Sequence, residues 1–182
     1  MKMRIISGEF KGRFINVPKS DLIRPTTDRV RETLFNLLSN KFDFTDLLAA
    51  DIYSGSGSLG LECISRGAAG VHFVEKNYVI YKNLEENIAS LQVDDKCKIY
   101  KMPAIRFSSM KNHDQYDLIL ADPPFFKDDI YQAVRNLQLN NFLKKDGSIV
   151  IERSVQTKQK DKLNFQTDPF KVIGDTCLYQ IF

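Results

Sequence analysis

Four residues, Asp122-Pro123-Pro124-Phe125, stand where the apolar run at 118–121 ends. A short apolar run of this kind predicts a buried strand. The two prolines end it, because neither has an N–H group to give to a sheet and Pro124 keeps Pro123 extended. We therefore expect a rigid turn at the carboxyl end of a strand, which is where open α/β sheets bind ligands.

This turn would present three groups that suit the methylation of an exocyclic amino group on a planar base. The lone pair of such an amino group is delocalised into the ring, so its nitrogen is a poor nucleophile. The carboxylate of Asp122 and the carbonyl of Pro123 can accept hydrogen bonds from the amino group and localise that lone pair, while the ring stacks on Phe125. These three residues are the predicted catalytic residues. A strand-ending turn without chemistry is the alternative that this stretch alone leaves open.

Three glycines, Gly55, Gly57 and Gly60, have the G-x-G-x-x-G spacing of dinucleotide-binding loops. The spacing alone is a weak signal, but here it lies between a predicted strand at 48–53 and a predicted helix that runs through Leu61 and Ile64 and ends near Arg66-Gly67. Glycines let the backbone approach a ligand closely, and the start of a helix supplies free N–H groups. The pattern indicates a nucleotide-type cofactor at this loop.

Glu75 ends the next predicted strand, at 70–75, and lies 24 residues after Asp51. An acid about 20 residues beyond the first strand is placed to accept both hydroxyls of a bound ribose. We therefore predict that Glu75 binds a ribose; a surface acid without a role is the alternative.

A helix is predicted to start near Thr26 or Thr27, either of which can cap it, and Asp28 favours its positive end. Arg29 and Arg31 are predicted to lie outside its buried stripe, where they can meet phosphate or solvent. The stripe itself has helical spacing and consists of Val30, Leu34, Leu37 and Leu38.

The remaining segments predict a parallel series of strands and helices that finishes in an antiparallel hairpin. That is the layout of S-adenosylmethionine-dependent methyltransferases. The predicted fold class is α/β, a Rossmann-like class I methyltransferase sheet with a small N-terminal hairpin and helix. The segments are strands at 98–102, 148–152, 170–173 and 176–181, helices at 77–91 and 129–142, a turn at 146–147, a solvated loop or helix edge at 156–162, and an N-terminal hairpin of 4–8 and 12–17.

The 182 residues fit one domain with a sizeable core. We divide them into a basic N-terminal hairpin and helix at 1–40 and a methyltransferase domain at 41–182. Residues 1–31 carry eight basic and three acidic side chains, whereas the rest of the chain has a net charge of −2. All the excess positive charge is thus at one end, as expected of a segment that faces a polyanion; a solvated Arg-rich surface is the alternative.

Cys63, Cys97 and Cys177 are odd in number and far apart, with no CxxC pair. We therefore expect neither a disulfide framework nor a structural zinc site, and a reducing cytoplasm is the predicted location. No run approaches the roughly 18 apolar residues of a membrane span. The first eight residues lack the apolar core of a signal peptide.

With these residues in view, the chain resembles the bacterial enzymes that methylate the N2 amino group of a guanine in 16S ribosomal RNA. The resemblance covers nearly the whole length, and its motifs are far more specific together than any one alone. They are RIISG at 4–8 with KGR at 11–13, RPTTDRVRETLFN at 24–36, DIYSGSGSLGLE at 51–62, SRGA at 65–68 and DPPF at 122–125.

The resemblance implies a set of site residues and partners. The cofactor is S-adenosyl-L-methionine, and the partner is 16S ribosomal RNA, within a small-subunit particle; neither a metal, a membrane nor an obligatory protein partner is expected. The turn at 122–125 would hold the guanine amino group. The cofactor-binding residues would be Asp51, Tyr53, Gly55, Ser56, Gly57, Glu75, Ala104 and Asp122, and the RNA-binding residues Lys11, Arg13, Arg24, Thr26, Arg29 and Arg31.

One position departs from the family pattern. After the third strand such enzymes usually have an Asp or Asn before an alanine, and its side chain bonds the adenine amino group of the cofactor. Here that position is Pro103, which has no side-chain acceptor. We expect the adenine to rely on the backbone of Ala104 and on apolar packing.

Three other functions compete with this one. A nicotinamide oxidoreductase would explain the glycine loop, but neither the turn at 122–125 nor the basic segment. A protein that binds ribosomal RNA during assembly without catalysis has some support in Pro103. Methylation of adenine N6 or cytosine N4 uses similar turns, so only the N-terminal resemblance favours guanine N2. His72 and His113 are predicted to be a strand and a loop residue without a catalytic role.

Overall fold

The computed structural model of the chain describes residues 1–18, 27–124 and 127–182. Phe125, Arg24 and Thr26, which the sequence assigns to the site, lie outside the described residues. The N-terminal elements are strands β1 (Lys2–Arg4) and β2 (Phe14–Asn16), which pair antiparallel as the predicted hairpin, and helix α1 (Asp28–Ser39). Thr27 caps α1, since its Oγ1 accepts a hydrogen bond from the Val30 amide at 3.3 Å.

A series of alternating strands and helices follows. Its elements are β3 (Leu48–Asp51), α2 (Ser58–Ser65), β4 (Gly70–Val74), α3 (Tyr78–Leu91), β5 (Cys97–Tyr100), α4 (Ala104–Ser108), β6 (Tyr116–Ala121), α5 (Asp129–Leu139), β7 (Leu143–Ser154), α6 (Lys158–Phe165), β8 (Lys171–Ile173) and β9 (Thr176–Ile181). Short 3₁₀ turns lie at Asp94–Lys96 and Val155–Thr157.

Within the described ranges the large sheet has seven strands in the order β5-β4-β3-β6-β7-β9-β8. The pairs from β5 to β7 are parallel, and β9 pairs antiparallel with both β7 and β8. This confirms the predicted Rossmann-like methyltransferase sheet with its terminal hairpin. Chain order reverses between β3 and β6, and such a reversal opens the crevice in which α/β sheets bind ligands.

The two faces of the sheet are covered by different helices, because alternate strand residues point to opposite sides. Leu118, Leu120 and Val150 pack in one core with residues of α1, α2 and α3 and with the N-terminal hairpin. Ile119 and Ile149 pack in the other core, with residues of α4, α5 and α6. We call these two sides the α1–α3 face and the α4–α6 face.

A buried acid attaches the N-terminal hairpin to helix α2. Glu62 of α2 has no exposed surface, and its carboxylate accepts hydrogen bonds from the amides of Ile6 at 2.8 Å and Ser7 at 3.0 Å. The same carboxylate pairs with Arg66 at 2.9 Å. The basic segment is therefore attached through a specific buried contact.

Replacing Glu62 by Ala should destabilise the protein by about 2–3 kcal/mol, since two amides near the hairpin and the Arg66 guanidinium lose their acceptor. Chemical denaturation would measure the destabilisation, and protease cleavage within residues 1–18 should accelerate. Glu86→Ala, which changes an exposed acid on α3, is the matched control. A Glu62→Ala protein as stable as the control would contradict the attachment.

Two local predictions from the sequence are wrong. Asp146-Gly147 does not precede the strand but lies inside β7, which starts at Leu143 and shifts register against β6 between Tyr116 and Leu118. The other concerns Arg31 and is described with the site. At 156–162 the structure has the helix edge that the sequence left open beside a loop, since most of α6 lies there, although Asp161 is fully buried. Among the described residues no helix is both long and apolar enough to cross a membrane.

Candidate active site

Three carboxylates meet at the carboxyl edge of the central strands. Asp51 ends β3, Glu75 follows β4 and Asp122 follows β6, and parallel strands end at the same edge of a sheet. Burial raises the pKa of Asp51 to about 7, and the negative charges of Asp122 and Glu75 add to that increase. The structure thus brings the acid of the Asp-Pro-Pro turn next to the acids expected at the cofactor.

Asp51 connects this edge to the glycine loop. Its Oδ2 accepts a hydrogen bond from the Gly60 amide at 3.0 Å. Its Oδ1 is buried and has no hydrogen-bond partner among the residues described. Buried carboxylate oxygens normally have a partner, so this oxygen is available to a donor or a positive charge that enters the site.

The three glycines of the loop are required for different reasons. Gly55 has φ +54°, and a Cβ built there would meet nothing within 4 Å. At Gly57, with φ +84°, a Cβ would approach Leu84 Cδ1 to 2.4 Å, and at Gly60 it would approach the Phe73 ring to 2.3 Å. Packing, not a ligand, explains glycine at 57 and 60; only Gly55 borders open space.

Glu75 joins the end of β4 to the same loop. Its Oε1 accepts a hydrogen bond from the Asn77 amide at 2.7 Å, and its Oε2 accepts one from the Gly55 amide at 3.2 Å. The side chain is half-buried. An ionised carboxylate has about four acceptor positions, so acceptors remain for the hydroxyls of a ribose.

The turn after β6 starts from a buried strand end. Asp122 is half-buried and Pro123 is buried. The carbonyl of Pro124 accepts a hydrogen bond from the Lys127 amide at 3.0 Å. Leu118 and Leu120 point to the α1–α3 face, so strand alternation directs Asp122 to that face, where Asp51 and the glycine loop also lie.

The other predicted cofactor residues lie around this edge. Ser56 is buried, and its carbonyl accepts a hydrogen bond from Asn87 at 2.9 Å. Burial raises the pKa of the Tyr53 hydroxyl, and the negative charge of Asp129 adds to that increase. Ala104 is buried at the first turn of α4, while Pro103 is exposed and its carbonyl accepts the Phe107 amide at 3.1 Å. Proline suits the start of a helix, because it has no N–H group to satisfy there.

The predicted RNA-binding residues divide into two groups. Lys11, Arg13 and Arg29 are exposed, although Arg13 also donates a hydrogen bond to the Ser90 carbonyl. Arg31 is fully buried, so the prediction that it lies outside the buried stripe is wrong.

Two contacts explain the burial of Arg31. Its Nη2 donates to the carbonyl of Arg4 and to Asp28 Oδ1, both at 2.7 Å. Arg31 precedes the buried Phe35 and Leu38 by four and seven residues, so all three lie on one side of the helix. The acid Asp28 lies three residues before Arg31. The sequence contained this signal, but charge alone suggested exposure.

Sequence reasoning missed three buried charged residues at the carboxyl end of β7 and in α6. Glu152 is 5% exposed, and Arg153 and Asp161 have no exposed surface. Arg153 Nε pairs with Asp161 Oδ1 at 3.0 Å, and Asp161 also accepts hydrogen bonds from Tyr131 at 2.8 Å and Thr157 at 2.6 Å. The available signal was the position of Glu152 and Arg153 directly after an apolar strand.

This edge of the sheet combines acids with a glycine loop that borders open space. Such an edge suits a ligand that carries positive charge and hydroxyl groups. Within the described part of the chain, no group of three His, Cys, Asp or Glu side chains is arranged to hold a metal ion.

Comparison with known proteins gives concordant results. The family model described as "Conserved hypothetical protein 95" matches residues 3–180. The protein named ribosomal RNA small subunit methyltransferase D from Escherichia coli strain K12 is 36% identical over 155 residues, covering 85% of this chain and 76% of that protein. Its namesake in Haemophilus influenzae is also 36% identical, over 167 residues, covering 88% of this chain and 81% of the relative.

The fold agrees with the sequence matches. A solved structure of an Escherichia coli protein, whose name assigns it provisionally to the methyltransferases, superposes with a TM-score of 0.82 at 32% identity. The match covers 99% of this chain and 98% of that one. Fold and family together confirm S-adenosyl-L-methionine as the cofactor, and the nicotinamide alternative is wrong. The chain therefore belongs to the conserved hypothetical protein 95 family, alongside the ribosomal RNA small subunit methyltransferases D of these bacteria.

Proposed function

We propose that this protein methylates the exocyclic N2 amino group of a guanine in 16S ribosomal RNA, within a small-subunit particle. One observation carries the proposal: Asp51 ends β3 and Asp122 follows β6, the strand that pairs with β3 in parallel, so the two acids lie at the same edge of the sheet. The predicted acceptor for the amino group and the predicted cofactor ligands therefore share one edge of the sheet. The names of the relatives support ribosomal RNA as the substrate.

The described residues fit the cofactor. Gly55 borders open space, Asp51 has a buried oxygen without a partner among the described residues, and Glu75 offers carboxylate acceptors beside both. Bound S-adenosylmethionine supplies an electrophilic methyl group on a positively charged sulfur. We assign its ribose to Glu75 and its positive charge to the field of Asp51, Glu75 and Asp122. Tyr53, Ser56, Gly57 and the backbone of Ala104 complete the proposed contacts.

Asp122 and Pro123 activate the amino group by accepting its hydrogen bonds, and Phe125 stacks on the base. The nitrogen becomes strongly acidic once it is alkylated, so it loses a proton easily to Asp122 or to water. Positioning therefore supplies most of the rate enhancement. A base within a helix or tight loop must first leave its stack, at a cost of a few kcal/mol, and stacking on an aromatic side chain offsets part of that cost.

Residues 1–40 form the proposed RNA-facing segment. Lys11, Arg13 and Arg29 are exposed on it, and we retain these three, with Arg24 and Thr26, as residues that bind RNA phosphates. Arg31 is excluded, because its side chain is buried against Asp28.

The proposal is tested by mass analysis of 16S ribosomal RNA from a strain that lacks this protein. One N2-methylguanine should disappear, and expression of the protein should restore it. Loss of an N6-methyladenine or an N4-methylcytosine would instead support the alternative amino-methyltransferases. If the modifications of the RNA are unchanged in that strain but its small subunits assemble poorly, the protein binds ribosomal RNA during assembly without catalysis.

The exposed basic residues should supply part of the electrostatic affinity for RNA. Changing Lys11 and Arg29 to Gln should reduce the slope of log K against log salt by about 0.7–0.9 for each phosphate that the protein no longer neutralises. Filter binding over a range of salt concentrations measures the slope. Lys145→Gln with Lys171→Gln, two exposed lysines outside the N-terminal segment, is the control. Equal slopes for the two double variants would remove Lys11 and Arg29 from the interface.

A further inference from the structure

A second carboxylate stands beside Asp122 on the neighbouring strand. In the parallel pairing of β6 with β7, Ala121 is the partner of Ile151. Asp122 and Glu152 follow these partners directly in the two strands, and neighbouring strands lie about 4.8 Å apart. The two acids are therefore adjacent across the sheet.

Both side chains belong to the same face of the sheet. Leu120, two residues before Asp122, and Val150, two residues before Glu152, pack in the core of the α1–α3 face. Leu178, the partner of Glu152 in β9, packs there as well. Because strand side chains alternate, Asp122 and Glu152 point to the side on which the glycine loop lies.

The two acids differ in depth. Glu152 is 5% exposed, whereas Asp122 is half-buried. Glu152 is therefore the more deeply buried of the two acids. Burial of a charged side chain costs free energy. An apolar residue at position 152 would extend the apolar run at 149–151 without that cost. An ionised carboxylate has about four acceptor positions, so Glu152 can bind a partner within the protein and still accept a further hydrogen bond.

The bases differ in what stands beside their amino group. In guanine the N2 amino group is next to N1–H, which is a hydrogen-bond donor. In adenine and cytosine the amino group is next to a ring nitrogen without a proton, which is an acceptor. A second carboxylate next to the one that binds the amino group can accept the N1–H of guanine. The same carboxylate repels the unprotonated ring nitrogen of adenine or cytosine. A buried polar group left without a matching partner gives strong discrimination between bases.

We propose that Glu152 selects the base, accepting the N1–H of the target guanine while Asp122 accepts its N2 amino group. This inference rests on the proposed function. Asp122 explains why an amino group is methylated, and Glu152 explains why that amino group belongs to guanine. Glu152 acts through recognition and takes no proton in the reaction.

The test uses RNA with either guanine or 2-aminopurine at the mapped position. 2-Aminopurine keeps the exocyclic amino group, but its N1 carries no proton. The wild-type protein should methylate the guanine RNA at least ~10²-fold faster in kcat/KM, because a site built for a donor rejects an analogue without it. Comparable rates on the two RNAs would overturn the proposal, and this measurement needs no variant.

Glu152→Gln provides the second measurement. Its amide can accept from N1–H of guanine or donate to N1 of 2-aminopurine, so the preference for guanine should fall at least ~10-fold, the scale of one hydrogen-bonding pair. The O6 atom that 2-aminopurine lacks affects both proteins alike and cancels in this comparison. Thr33→Val, at a half-buried position on α1, is the control and should keep the wild-type preference.

The outcomes separate this inference from the proposed function. If mapping finds a methylated adenine or cytosine, the proposed function fails first. If guanine is methylated and the preference is the same in wild type and Glu152→Gln, only the role of Glu152 is refuted. Calorimetry with S-adenosylhomocysteine should give equal affinities for the two proteins, and a marked loss in the variant would reassign Glu152 to the cofactor and overturn the inference.

Discussion

Asp122→Ala should lower the single-turnover rate of methylation by at least ~10²-fold, the scale observed when one preorganised polar group is removed from an active site. Asp122→Asn should be impaired but measurably active. The proposed role needs an oxygen acceptor rather than a strong base, and Asn keeps one oxygen in nearly the same place. Undermethylated small subunits are the substrate for this comparison.

The pair of variants distinguishes two mechanisms. If Asp122 had to abstract a proton before the transfer, Asn and Ala would be equally inactive, since neither is a base. Both variants should still bind S-adenosylhomocysteine, because Glu75 and the glycine loop are proposed to hold it. Near-native speed from Asp122→Ala would remove Asp122 from catalysis altogether.

Asp161→Ala should destabilise the protein by about 3–5 kcal/mol, the usual cost of removing one partner from a buried ion pair. Arg153 would lose the carboxylate that pairs with it at 3.0 Å. Its Nη1 and Nη2 are already buried without a hydrogen-bond partner among the described residues, so no second described acceptor replaces the lost carboxylate. Urea denaturation measures the change in stability.

Replacing both partners gives the control. A protein with Arg153→Met and Asp161→Leu has no unpaired charge, and apolar replacement of buried ion pairs is often neutral or stabilising. The double variant should therefore be more stable than Asp161→Ala alone. If the single variant were as stable as the wild-type protein, α6 would not depend on the buried pair.

The acids of the proposed active site were predictable from the sequence because their position follows from the strands. An apolar run identifies a buried strand, and the residue at its carboxyl end lies at the ligand-binding edge of a parallel sheet. This reasoning located Glu75 and Asp122, and the family resemblance added Asp51; the structure places all three at the carboxyl ends of the adjacent strands β4, β6 and β3. It also predicted the sheet with its terminal hairpin, which the strand order confirms.

The partners that hold the buried charges of Glu62 and Arg153 were decided by tertiary structure. The burial of a charged side chain depends on partners that lie on other elements, such as Asp161 for Arg153 or the amides of Ile6 and Ser7 for Glu62. Periodicity within one element contains no information about those partners. The same holds for Glu152, which is next to Asp122 only because β6 and β7 pair in register with Ala121 opposite Ile151. The sequence determined which strand ends carry acids; the pairing of the strands decided which acids are neighbours.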